Sequence, residues 1–224
     1  EFIDEYLRVG DMLDKRIMMA DKQQNNYQLV RNNIDNIFSV SGAADCKTLE
    51  GVFASKVEAE KENTEALNKI IRVFRMAGCK ESDVYSTASI YSHKLNPTAQ
   101  TAEGCAQRAI KQEKYTEALA FYDEALQLEE IDSLKYDYAY AKAAILRQLG
   151  RYAEARSAAY QAISFNGKEG EPYILIATMY ADSNPFGDDK ILAKTVYWAA
   201  VDKLEKAKSI DPACSEAAQK LISA

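Results

Sequence analysis

Histidine is almost absent: His93 stands alone in 224 residues. A single imidazole removes most His-based acid–base catalysis and most zinc sites. Proline and glycine are scarce too, at 4 and 9 residues. An all-β sandwich, which needs a turn signal roughly every ten residues, lacks its punctuation here. No apolar run approaches the roughly 18–20 residues of a membrane span, so direct membrane insertion is not expected. Positive charge is short as well: 28 Lys and Arg against 34 Asp and Glu leave a net −6. Nucleic acid and anionic membranes are therefore poor partners. The four cysteines, Cys46, Cys79, Cys105 and Cys214, form no CxxC and cluster with no other ligand type. Neither a metal nor a cofactor is expected.

What remains is apolar residues, 47% of the chain, enough for one or two compact domains or one elongated array. The opening EFIDEYLRVGDMLDKRIMM places Phe2, Ile3, Tyr6 and Leu7 at helical spacing. It reads neither as a signal peptide nor as an initiator start, which suggests a segment removed upstream. Alanine-rich strings such as AYAKAAIL favour closely packed helices.

A period runs through the second half. Tyr115, Ala118, Tyr122 and Ala125 share their offsets with Tyr152, Ala155, Ala159 and Ala162, and again with Tyr197, Ala200, Leu204 and Ala207. A second helical segment precedes each set: TAEGCAQRAIKQ, YDYAYAKAAILRQLG and EPYILIATMYADS. In these residues the chain resembles the tetratricopeptide repeat (TPR) family, a helix–turn–helix unit of about 34 residues. The family keeps small residues at the eighth, twentieth and twenty-seventh positions. Residues 99–132 supply Ala106, Ala118 and Ala125 there, and residues 136–169 supply Ala143, Ala155 and Ala162. A third unit starts near Gly170 and departs from the pattern through an inserted stretch, DSNPFGDDKILAK.

The resemblance implies an all-α, right-handed superhelix of about twelve antiparallel helices. The expected organisation is N-terminal, degenerate repeat-like helices over 1–63 and a degenerate unit over 64–98. Three units over 99–211 and a capping helix over 212–224 follow. Within the first part, 22–61 reads as a helix pair.

In this family the first helix of each unit lines a concave groove. Carried over, the groove positions are Gln100, Glu103, Gln107, Ile110 and Lys111, then Asp137, Tyr140, Ala144, Arg147 and Gln148, then Glu171, Ile174, Thr178, Ala181 and Asp182. Gln107, Lys111, Tyr140, Arg147, Ile174 and Thr178 are the expected partner contacts, because Tyr and Arg dominate binding hot spots. The Lys and Asn of chaperone-tail clamps are replaced by Glu103 and Gln107, then by Tyr140 and Ala144, so that clamp is absent.

Other features read more plainly as structure. Asp182, Asn184, Gly187 and Asp188 sit at calcium-loop positions, but Phe186 and Ala193 stand where two oxygen ligands are required. A helix-connecting loop is the simpler reading. His93 is expected to be structural, and Glu129, Glu130 and Asp132 a solvated helix end. Trp198 and the run Tyr136, Tyr138, Tyr140 read as core and groove wall.

The functional expectation is a non-enzymatic scaffold for a protein or peptide partner, monomeric in the simplest case. A structural helical spacer in an envelope assembly is the alternative, and an enzyme using Glu129 or Asp188 ranks last. The segments CKTLEGVFASKVEAEKE, AGCKESDVY, KLNPTAQTAEG and VYWAAVDKLEKAKSIDP also resemble a subgroup of exported bacterial TPR proteins. That implies a periplasmic or envelope location.

Cys46 and Cys79 precede helices in matching contexts, DCKTLE and GCKESD, and stand 33 residues apart, close to one repeat. Equivalent helix starts in adjacent units are neighbours, with axes about 8–10 Å apart. A disulfide, which needs Cα atoms within about 7 Å, is reachable if the turns lean together. The alternative is two separate thiols at helix starts. Cys105 is expected to be a buried thiol, with Cys214 too far along the chain to join.

Overall fold

A computed structural model describes residues 2–19, 22–42, 45–183 and 190–223. Among these the chain folds into twelve α-helices and one 3₁₀ turn, with no strand. It divides into two compact units, 1–108 and 109–224.

The first unit contains α1 (Phe2–Met18), α2 (Gln24–Val40), α3 (Cys46–Ala59), α4 (Thr64–Met76) and α5 (Asp83–Leu95). The division between the units falls inside α6 (Ala99–Lys111). Three of these helices start on side-chain caps: Asp45 accepts from the Thr48 N–H, Asn63 from Ala66 and Ser82 from Val84. Each satisfies an orphan donor, worth about 1 kcal/mol. Large side chains fill the core, with Phe38, Phe53, Phe74 and Tyr85 all but inaccessible.

Residues 22–61 do not form the expected pair. α2 packs on α1, where the Tyr6 and Phe38 rings stack at 4.0 Å, while α3 packs against α4 and α5. The reason lies in one buried cation. Arg31 is 4% exposed, lies over the Tyr6 ring and pairs with Asp14 at 3.1 Å and with Asp35. Gly10 makes room for it, since a Cβ there would stand 3.1 Å from the guanidinium. Arg72 of α4 closes the network, at 3.1 Å from Asp14 and 2.9 Å from Asp35.

A disulfide joins Cys46 to Cys79 with the Cα atoms 5.4 Å apart. It ties the start of α3 to the turn after α4. Cys105 and Cys214 are buried outside any disulfide.

The second unit continues with α7 (Tyr115–Leu128), α8 (Asp132–Gln148), α9 (Tyr152–Phe165), α10 (Glu171–Ala181) and α11 (Lys190–Ile210). A 3₁₀ turn (Pro212–Cys214) and α12 (Ser215–Ser223) follow. Its seam is alanine: Ala118, Ala125, Ala143, Ala155, Ala159 and Ala162 are completely buried. With only a methyl group at each crossing, helix backbones approach closely, and dispersion contacts replace bulk. At the far end the Asp211 carboxylate accepts from the Gly170 and Ala213 N–H groups. A Cβ on Gly170 would meet Cys214 at 2.8 Å.

One turn recurs. After α4, α6 and α8, residues Gly78, Glu113 and Gly150 adopt φ of 70°, 58° and 71°. In each case the next N–H reaches back to a helix carbonyl: Cys79 to Phe74, Lys114 to Ala109 and Arg151 to Leu146. This left-handed helix ending favours glycine, and Glu113 occupies it against that preference.

Candidate partner-binding face

Within the second unit the first helix of each repeat is α8 or α10. Tyr140 and Arg147 are seven residues apart on α8, hence on one face. Tyr140 is half-buried, and its ring lies parallel to Tyr136 with centroids 6.1 Å apart. Burial, with Glu171 nearby, pushes its phenol up. Arg147 Nη2 donates to Asp182 Oδ2 at 3.0 Å, an ion pair with both side chains partly exposed. The Arg147 Nε is buried without a hydrogen-bond partner. Beside them the Gln148 amide donates to the Tyr115 hydroxyl at 3.0 Å.

The other expected contacts land unevenly. Thr178 is half-buried on α10 and turns its hydroxyl back to the Leu175 carbonyl. Ile174 is half-buried and packs on a core of Ala177, Ala200, Leu204 and Ala207. Lys111 is exposed at the end of α6. Gln107 is half-buried in the first unit. Glu103, a groove position by the resemblance, is only 4% exposed because Arg75 and Lys80 pair with it. Trp198, expected in the core, is 64% exposed. The buried stripe of α11 runs through Val196, Ala200, Leu204 and Ala207, and residue 198 falls outside that stripe. The Tyr run behaves as expected for core and wall, with Tyr136 and Tyr138 buried.

Glu129, expected to be solvated, is buried, and its Oε1 accepts from the Glu130 and Ile131 N–H groups. His93 Nδ1 lies 3.0 Å from Thr101 Oγ1, a helix-to-helix tie within the first unit. The calcium-loop positions Asn184, Phe186, Gly187 and Asp188 lie outside the described residues. No cluster of potential metal ligands exists among those described, and none of the described helices is long and apolar enough to cross a membrane.

The first unit holds a feature that the repeat pattern did not reveal: a cavity of about 510 Å³. Asp35 of α2, a stripe of α4 and Thr98, Gln100 and Thr101 around the start of α6 line it on one side, and it opens to solvent on the other. The stripe is legible afterwards, because Asn68, Arg72 and Arg75 follow an i, i+4, i+7 spacing along one face of α4. It lies upstream of the alanine period and so carried no repeat signature.

No protein-family model and no curated protein matches the chain. Solved structures do. A crystal structure of MamA aligns with a TM-score of 0.54 at 15% identity, covering 89% of this chain and 98% of its own. YrrB, described as a TPR protein with an unusual peptide-binding site, aligns with a TM-score of 0.56 at 16% identity, covering 84% of this chain and 89% of its own. At such identities the likeness establishes the fold. It is that of a TPR solenoid.

Proposed function

We propose that the chain is a non-enzymatic scaffold that binds a protein or peptide along the α8–α10 face. The carrying observation is the pairing there of a half-buried Tyr140 with an accessible Arg147–Asp182 ion pair. Aromatic and arginine side chains on a rigid wall are what peptide hot spots are made of. The likeness to YrrB supports a peptide as the partner class. Lys111, Ile174 and Thr178 belong to the same proposal as flanking contacts, while Gln107 lies in the first unit and is not part of it. We further propose an oxidising, periplasmic or envelope location, supported by the Cys46–Cys79 disulfide, since such bonds persist where thiols are not kept reduced.

The test is a peptide-display selection on the whole chain, followed by calorimetry on variants. Arg147→Glu should weaken a selected peptide by about 2 kcal/mol or more. Lys168→Glu, in the exposed turn between α9 and α10, should cost less than about 1 kcal/mol. Equal losses would move the site off this face.

A further inference from the structure

Two tyrosines on the α8–α10 face stand in a field of one sign. Tyr136 and Tyr140 are four residues apart on α8, and Asp137 lies three residues before Tyr140, on the same side. Glu171 opens α10. Burial pushes both phenols up, and Glu171 is the first charge to add to it in each case. At Tyr136, Glu169 and Asp137 reinforce the effect. At Tyr140 nothing among the described residues acts the other way.

These carboxylates are not neutralised from within. Asp137 and Glu171 are exposed and take part in no ion pair among the described residues. Glu169 accepts from the Asn166 amide at 3.0 Å, a neutral donor. The adjacent Lys135 is turned to the Phe165 ring, with Nζ 5.8 Å from its centroid. Arg147, farther along α8, is paired with Asp182. Asp137 and Glu171 therefore stand without a counter-charge.

The rings add two further features. Their planes are parallel within 1°, with centroids 6.1 Å apart, and Tyr140 is only half-buried, which leaves part of its side chain open. Tyr136 is 7% exposed, and its hydroxyl is buried without a hydrogen-bond partner. An unpaired buried hydroxyl costs free energy that an added donor recovers.

An aromatic face with negative charge at its rim and an open acceptor in its wall suits a donor-only cation. A neutral or acidic side chain would leave Asp137 and Glu171 unmatched. We propose that a basic side chain of the peptide, lysine or arginine, docks here, its cation against Tyr140 and between Asp137 and Glu171. This specificity rests on the peptide reading of the same face and adds to it the chemistry of the partner.

The probes are Nα-acetyl-lysine methylamide, its Nε-acetyl derivative, Nα-acetyl-arginine methylamide and Nα-acetyl-glutamate methylamide, titrated into the intact, oxidised chain. Backbone amide resonances of Asp137, Tyr140 and Glu171 report binding by NMR. The lysine and arginine probes should shift them saturably. The Nε-acetyl derivative should bind at least about tenfold more weakly, since acetylation removes the charge and keeps the hydrocarbon stem. Asp137→Asn and Glu171→Gln, at exposed positions outside any ion pair, should each weaken lysine binding about two- to fivefold, the range of exposed charge pairs. Helical circular dichroism should stay unchanged in both. No shift with either basic probe, equal binding of lysine and its Nε-acetyl derivative, or a response to the glutamate probe alone would overturn the proposal. A display-selected peptide separates it from the peptide reading itself. One that protects α8 and α10 but loses nothing when its lysines and arginines become norleucine would overturn the basic specificity and leave the peptide face standing. One that leaves α8 and α10 unprotected, while the lysine probe still shifts Tyr140, would overturn the peptide face and leave the cation site standing.

Discussion

The two units solve the same packing problem with opposite materials. The first holds its helices with bulky rings, a buried arginine shared between aspartates and a covalent cross-link. The second, from α7 onward, relies on alanines that let backbones touch. Bulk fills space between helices that stand apart, whereas methyl groups remove that space. The first arrangement leaves room for a cavity and a charge network, and the second leaves a regular wall. The first unit should therefore fail when atoms are removed, the second when they are added.

Paired substitutions test that contrast most strongly. Phe74→Ala in the first unit should cost about 3–5 kcal/mol, the usual loss for a buried ring. Ala155→Leu in the second should cost about 1–3 kcal/mol by overpacking, read as a shift in the denaturant midpoint at unchanged slope. A neutral Ala155→Leu would mean that the alanine seam has slack, and the comparison would lose its second half.

Reduction of Cys46–Cys79 comes next. The bond closes 33 residues, and opening such a loop removes about 3–4 kcal/mol in the chain-entropy model. Hydrogen exchange with and without reductant should show lost protection in α3 to α5 and unchanged protection in α8 to α11. Matching losses in both sets would show that the units do not respond separately.

Alkaline pH gives a third and smaller effect. Burial pushes the Tyr6 phenol up to about 12 from its ordinary 10.0. The folded chain then keeps a proton that the unfolded chain releases, so this contribution is whole below pH 10 and is lost as the pH rises towards 12. The slope should be about 1.4 kcal/mol per pH unit. Tyr6→Phe should flatten that limb of the stability curve; an unchanged slope would assign it to another group.

The smallest effect is a gain. Glu113 adopts φ 58° in a turn whose counterparts are Gly78 and Gly150. Glu113→Gly should stabilise the chain by about 0.5–1 kcal/mol, the left-handed cost less the entropy of glycine. A loss would show that the Glu113 side chain contributes more than its backbone strain.

These contrasts also explain what could be read in the chain beforehand. The alanine period marks α6 to α11 because methyl groups at fixed offsets are both the sequence signal and the packing device. The cysteine contexts DCKTLE and GCKESD mark the start of α3 and the turn before α5, which the fold brings within bonding distance. The partnership of α2 with α1 is not legible, because only the fold brings Gly10, Asp14 and Asp35 around Arg31. The burial of Glu103 is hidden for the same reason: its partners Arg75 and Lys80 lie on α4 and in the turn after it, with α5 between them and Glu103 in sequence. The cavity needs three elements at once, so the α4 stripe alone did not announce it.

The central claim, that the α8–α10 face is the one that receives a peptide, is tested most directly by a hydrogen-exchange footprint. A display-selected peptide would be bound at saturation to the intact, oxidised chain. Added protection is expected in α8 and α10, centred on the turns carrying Tyr140 and Arg147, with α9 and α11 unchanged. Protection concentrated on α9 and α11, where Tyr160, Tyr197 and Trp198 are exposed, would contradict it and place the partner on the opposite set of helices.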